Sequence, residues 1–338
     1  MKRIFFALLS LCFFNCLLTS CNQKNGKDEE GSVADSLSGN KQINELTILI
    51  KSEPGNAALL FKRAKAYEEE KNLTDAFTDL EKAVQLDSTK TEYLMLMSDI
   101  SFKLNKIKNS KACLEKVRGI DPENYDAALR LSELYLYVRQ NNLSIQYADT
   151  VLGKQPDNGK ALLLKGFNLK EKGDTTGAVK VFQKAVEYDQ QFFEAYVQLG
   201  VLFQAQNNKL ALEYYNNALR IKPNAEDALY GRGLWYQDHS EINKAIQDYT
   251  SIIQVNPKNK NAHFNLGYIH QSLLKVYDEA AKHYTRAIEA DPSYVEAYYN
   301  RGVCYETLGN ISMARVDYEK AIEIKPDYEP AKNGLSRL

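Results

Sequence analysis

Apolar residues in this chain recur every three to four positions in runs of about a dozen, and the runs come in pairs. The pairing is plainest between Asp291 and Tyr328. Tyr298, Gly302 and Tyr305 fall on one face of a first helix, and Ala314, Tyr318, Ala321 and Ile322 on one face of a second. Gly309-Asn310 is a turn signal between them, and Pro326 is a stop after them. A helix pair this short cannot bury its apolar face alone, so the pattern predicts neighbours of the same kind on either side.

The neighbours are visible in the punctuation. Prolines at 54, 122, 156, 223, 257, 292 and 326 share one phase of 34 residues. Small residues keep the same phase. Ala64, Ser98, Ser132, Gly166, Gly200, Gly233, Gly267 and Gly302 hold one position of the first helix (helix A). Ala76, Ser110, Ser144, Ala178, Ala211, Ala245, Ala280 and Ala314 hold one position of the second (helix B). Closely approaching helix backbones require small side chains at both places. Eight repeats follow: 57–90, 91–124, 125–158, 159–192, 193–225, 226–259, 260–294 and 295–328. The fifth is one residue short and the seventh one residue long, and the turn between helices A and B is the expected place for both changes. Repeats 2 and 3 depart most, with Ser at both small positions and Ser101 where the last repeat has Tyr305.

A helix–turn–helix unit of this length resembles the tetratricopeptide repeat (TPR), whose signature the last copy carries as Tyr298, Gly302, Tyr305, Ala314, Tyr318, Ala321 and Pro326, with Arg301 in place of the usual Leu. The resemblance spans residues 57–328. It implies an all-α fold, a right-handed superhelical solenoid whose A helices line the concave side, and a role in binding other proteins. Residues 42–56, with Ile43, Leu46, Leu49 and Ile50 in helical phase before Pro54, are expected to form a capping half repeat. Residues 329–338, with Leu335 and Leu338, are expected to cap the other end.

Residues 1–20 read as a secretory signal, with Lys2 and Arg3 before an almost wholly apolar stretch from 4 to 18 that is too short for a stable span. Leu18-Thr19-Ser20-Cys21 resembles the lipobox of bacterial lipoproteins, which implies cleavage before Cys21 and lipidation of its sulfur. The alternative is an ordinary signal peptide with an incidental cysteine. Residues 21–41 are polar and read as a flexible tether with a reach of about 25 Å. Within it, Lys27-Asp28-Glu29-Glu30 is either a solvated linker or, by resemblance, a surface-export signal. Asn22 after the cysteine favours, by resemblance, the outer membrane of a Gram-negative envelope, on its periplasmic face or at the cell surface.

Composition narrows the function. A formal charge of −1 leaves no basic excess for a nucleic-acid backbone. Cys113 and Cys304, the two cysteines beyond Cys21, lie too many repeats apart for a disulfide. No nucleophile elbow, phosphate loop or His-Glu-x-x-His motif is present, so neither an enzyme, a cofactor nor a small-molecule substrate is expected. His263 and His270 share a helix face, where Tyr298 and Tyr305 stand one repeat later. Core packing explains them better than a metal, and no metal site is expected.

What remains is surface. The helix-A face turned away from helix B presents Tyr230, Phe264, Asn265, Tyr268, Tyr299 and Asn300 in repeats 6 to 8. Asn both donates to and accepts from a peptide backbone, and aromatics add sequence-tolerant contact. This reads as a concave groove for an extended or helical segment of another envelope protein. The same residues also read as ordinary filler between repeats. Met95, Leu96, Leu129 and Leu136 form a second apolar strip on repeats 2 and 3. Acidic residues opening helix A (Glu92, Asp126, Glu194, Asp227, Glu296) complement the helix dipole or form an acidic rim. The runner-up function is a substrate-binding or accessory subunit of an envelope enzyme or transport complex. The lipobox reading is checked by feeding cells labelled fatty acid. The chain should take up label, Cys21→Ser should abolish uptake, and an unlabelled native chain contradicts the reading.

Overall fold

The computed structural model describes residues 40–338. The expected signal peptide 1–20, the lipidation site Cys21 and nearly all of the tether 21–41 lie outside them. The described residues form eighteen α-helices and one π-helical segment, and no strand occurs among them. After the capping helix Lys41–Ser52, helices alternate as A and B through eight pairs, from Ala57–Glu69 with Leu73–Leu86 to Val295–Thr307 with Ile311–Ile324. Glu329–Arg337 closes the stack. Each helix packs on those next to it in sequence, which defines an α-solenoid.

Asparagine caps start several helices. Asn40, Asn56, Asn72, Asn124, Asn158 and Asn259 each accept from backbone N–H groups of the first turn, which otherwise lack partners. Each helix A ends alike. Lys71, Asn105, Arg139, Gly173, Asn207, Ser240, Lys275 and Gly309 all have φ between 53° and 80°, one in every repeat. In repeat 1 the closing bonds run from Lys71 N to Glu68 O and from Asn72 N to Tyr67 O, which is the Schellman arrangement. Only two of the eight are glycine, so six side chains sit in a backbone region that costs about 1 kcal/mol or more.

The core is an interlocking of helix-B side chains with helix-A glycines. Phe182, Tyr215, Tyr249, Tyr284 and Tyr318 are fully buried. A Cβ added at Gly302 would lie 2.7 Å from Tyr318 Cε1, and one added at Gly200 2.6 Å from Tyr215 Cε1. The rings also reach the next unit. Tyr215 contacts the Cβ position of Gly231, and Tyr318 that of Gly334 in the closing helix. Each buried ring contributes about 2–3 kcal/mol. In repeats 1 to 3 smaller partners meet. Ala64 and Leu80 share the register of Gly302 and Tyr318. In the serine-rich repeats, hydrogen bonds take over: Ser98 Oγ lies 2.9 Å from Ser110 Oγ, while Ser132 Oγ donates to Ser144 O and Ser144 Oγ to Ser132 O.

A second device ties three helices at once. Arg301 grips Asp317 of its own helix B through two bonds, Nε to Oδ2 at 2.8 Å and Nη2 to Oδ1 at 2.7 Å. Its Nη1 donates to Thr285 of the preceding helix B. Arg63 repeats this with Asp79 and Thr47, and Arg232 with Asp248 and Asn216. Thr47 belongs to the first capping helix, which therefore occupies the place of a helix B.

The seventh repeat corrects the expected position of its extra residue. The insertion is absorbed before the turn, in the π-helical segment Ile269–Leu274 that continues helix A Lys260–Tyr268. The closing bond there, Val276 N to His270 O, spans six residues where Asn310 N to Tyr305 O spans five. A π segment accommodates one residue without displacing the turn, so helix B keeps its register.

Two predictions follow from this packing. Lys71→Gly and Lys275→Gly should each stabilise by about 0.5–1 kcal/mol in urea unfolding, by relieving φ strain net of added chain entropy. Gly302→Ala should destabilise by about 1–3 kcal/mol. Adding Tyr318→Leu should recover part of that loss, because Ala opposite Leu already occurs in repeat 1.

Candidate protein-binding groove

The helix-A residues expected to line a groove occupy helices Glu226–Asp238, Lys260–Tyr268 and Val295–Thr307. They are not equally available. Tyr268 is exposed at 39%, while Tyr230, Phe264, Tyr299 and Asn300 are half-buried. Asn265 is only 8% exposed.

Each half-buried ring is fixed by a neighbour. Tyr230 lies 5.9 Å from the core ring of Tyr249. Phe264 stacks on Tyr294 at 4.9 Å and approaches Tyr284 at 5.5 Å. Tyr299 meets Tyr318 at 5.9 Å and Tyr328 edge-on at 5.8 Å. Tyr294 and Tyr328 lie just outside helices, immediately before Val295–Thr307 and Glu329–Arg337, and sequence reasoning missed them. Their signal was legible: Tyr at the residue before helix A in two successive units.

Asn265 is placed beside the hydroxyls of Tyr230 and Tyr249, which its amide affects electrostatically, yet its Nδ2 has no hydrogen bond of good geometry. Burial raises the pKa of Tyr230 and Tyr294, so both phenols stay neutral donors at any physiological pH. Asp227 faces solvent on the same wall, and the surrounding protein raises its carboxyl pKa by desolvation.

Elsewhere the inner wall is occupied by its own pairs. Arg130 bridges Asp126 of its own helix and Asp99 of the preceding repeat. Lys103 donates to Glu68 at 2.6 Å, and Lys170 to Gln198 at 2.8 Å. Met95, Leu96 and Leu129 are half-buried against the local core. Of the acidic residues that open helix A, Glu194 pairs with Lys222 at 3.1 Å. In repeats 6 to 8 the wall carries Tyr230, Phe264, Tyr268 and Tyr299, and Glu306 at its end pairs with Arg337 at 2.9 Å.

The remaining candidates fall in the core. Cys113 and Cys304 are buried free thiols, and burial pushes their pKa to about 11 and about 12, so neither is a reactive thiolate at neutral pH. His263 is buried, and His270 faces His283 of helix B. Among the described residues, no group of three or more His, Cys, Asp or Glu side chains is arranged to hold a metal. No helix there is long and apolar enough to cross a membrane.

Sequence comparison agrees with this architecture. Profiles described as "Tetratricopeptide repeat" match residues 43–90, 91–124 and 295–328, and one described as "TPR repeat" matches 168–207 and 276–309. Human tetratricopeptide repeat protein 6 is 30% identical over 158 residues, which is 42% of this chain and 30% of that protein. The UDP-N-acetylglucosamine–peptide N-acetylglucosaminyltransferase of Giardia intestinalis is 26% identical over 151 residues, 44% of this chain and 9% of that protein. The chain thus spans less than a third of either relative. Among solved structures, a tetratricopeptide repeat protein from Parabacteroides merdae superposes with a TM-score of 0.53 at 16% identity, covering 73% of this chain and 97% of the other. The APC/C hetero-tetramer Cut9-Hcn1 gives 0.54 at 17% identity, covering 87% and 58%. These structures share the fold.

Proposed function

Because this chain carries tetratricopeptide repeats stacked into a solenoid, we propose that it is a non-catalytic scaffold that binds a segment of a partner protein along the inner wall of repeats 6 to 8. The observation that carries the reading is the contrast along that wall. Repeats 2 to 4 close it with ion pairs and hydrogen bonds of their own, whereas Tyr268 is exposed and Tyr230, Phe264, Tyr299 and Asn300 are half-buried around it. The rings are held by core neighbours, so a partner meets a surface already ordered and pays little side-chain entropy to bind. Asn300 supplies a donor and an acceptor for a peptide backbone.

The second part of the proposal concerns location. Residues 1–21 support anchoring by lipid on Cys21 in the outer membrane of a Gram-negative envelope, with the tether holding the solenoid near the bilayer. Two or more acyl chains suffice for a stable anchor, at about 0.8 kcal/mol per buried methylene. The partners are then other envelope proteins.

The test is capture of partners from native membranes by the full chain and by the variants Tyr268→Ala and Asn300→Asp. Both positions are accessible enough to change without collapse of the core. The account expects partner affinity to fall by about tenfold or more in at least one variant, with unchanged thermal unfolding. Undiminished capture by both variants contradicts it.

A further inference from the structure

Repeat 7 differs from its neighbours at both positions of the arginine lock. Asp248 in repeat 6 and Asp317 in repeat 8 take the helix-B end of the arginine lock. In repeat 7 that position is His283, and Leu266 stands where the arginine would be. His283 instead lies against two histidines of the facing helix. Its ring centre is 5.6 Å from His263 and 5.5 Å from His270.

The hydrogen bonding of this cluster limits its protons. His263 Nε2 lies 3.1 Å from Pro257 O, and a carbonyl only accepts, so Nε2 carries the hydrogen. Neutral His263 is then bare at Nδ1, 3.3 Å from His283 Nδ1, which must be the donor. The pair absorbs one added proton, either at His283 Nε2 with the bond unchanged or at His263 Nδ1 with His283 changing tautomer to accept. A second added proton sets two N–H groups against each other. His270 Nδ1 is buried and has no hydrogen-bond partner. The folded His263–His283 pair accommodates about one proton, where the same two side chains take two in the unfolded chain.

We propose that this cluster makes repeat 7 an acid-labile joint: in mildly acidic solution its helices A and B separate, while repeats 6 and 8, held by Arg232–Asp248 and Arg301–Asp317, keep their pairs. Burial first, then the two neighbouring imidazoles, brings His283 down to about 4, and burial lowers His263 as well. The sign follows. An unfolded histidine titrates near 6.5, so stability is complete above that pH and drains away as pH falls toward 4. The charged neighbours do not reverse this. Lys282 and Arg286 oppose protonation, and Glu279 and Glu289, which favour it, are already paired with those two cations at 2.6 and 2.8 Å. On the helix-A side, the π-helical segment Ile269–Leu274 ends at Lys275 with φ 61°, so the joint also carries the strained turn. Phe264 and Tyr268 ride on the helix that moves.

The test is hydrogen exchange on the full chain at pH 7.5 and 5.0, corrected for the intrinsic pH dependence of exchange. Peptides from 263–288 should lose about tenfold or more in protection at pH 5.0, well beyond the loss in repeats 6 and 8. The double variant Leu266→Arg/His283→Asp, which installs the pair of repeat 8, should remove that loss. Retained protection in repeat 7 at pH 5.0, a uniform loss along the solenoid, or a variant with the same acid response would each overturn the proposal. Imidazole proton NMR of the native chain gives a check free of any variant. One histidine should titrate at pH 5 or below, and four midpoints all near 6.5 would also overturn it.

Discussion

How closely two helix backbones approach is set by the side chains between them, and the rest of this structure depends on that distance. Glycine at the contact position of helix A lets a whole aromatic ring from helix B lie against bare backbone. Tyr215, Tyr249, Tyr284 and Tyr318 do this in four successive repeats, and Phe182 does it before them. Because Tyr215 also touches Gly231 and Tyr318 touches Gly334, the ring that joins a pair also joins that pair to the next unit. Intra-repeat and inter-repeat packing are thus one interaction, which is why the stack behaves as a ladder with nearest-neighbour coupling. Toward the N-terminus the arrangement changes by degrees, through Phe182 opposite Gly166 to serine pairs that replace apolar contact with hydrogen bonds.

Much of this was legible in the sequence because sterics leave a periodic record. Small residues at Ala64 through Gly302 and Ala76 through Ala314 announce a helix pair of fixed spacing, and the all-helical solenoid follows. Other features leave weaker records. Lys71, Arg139 and Lys275 hold the same left-handed position as Gly309, but a lysine there carries no glycine signal. The added residue of repeat 7 shows that something is longer without showing where, and a π segment proved a better place for it than the turn. The arginine lock was readable as Arg and Asp sixteen residues apart in repeats 1, 6 and 8, yet Arg301 had looked like a mere departure from the repeat motif.

The groove residues were legible as a face and not as an environment. Spacing places Asn265 on the inner wall, but it cannot show that Tyr230 and Tyr249 flank it and leave it buried. Nor does helical periodicity reach Tyr294 and Tyr328, which approach Phe264 and Tyr299 from outside the helices. The physical result is an inner wall in repeats 6 to 8 whose aromatic rings are held by ring neighbours. The same rings serve the core with one face and the inner wall with the other.

The most direct measurement is position-resolved photocrosslinking in living cells. A photoreactive residue at Tyr268 on the inner wall is compared with one at Val316, which is 63% exposed on helix B of repeat 8. The account predicts a discrete partner adduct from position 268 and none from 316. Adducts of equal yield from both positions, or from 316 alone, would contradict it.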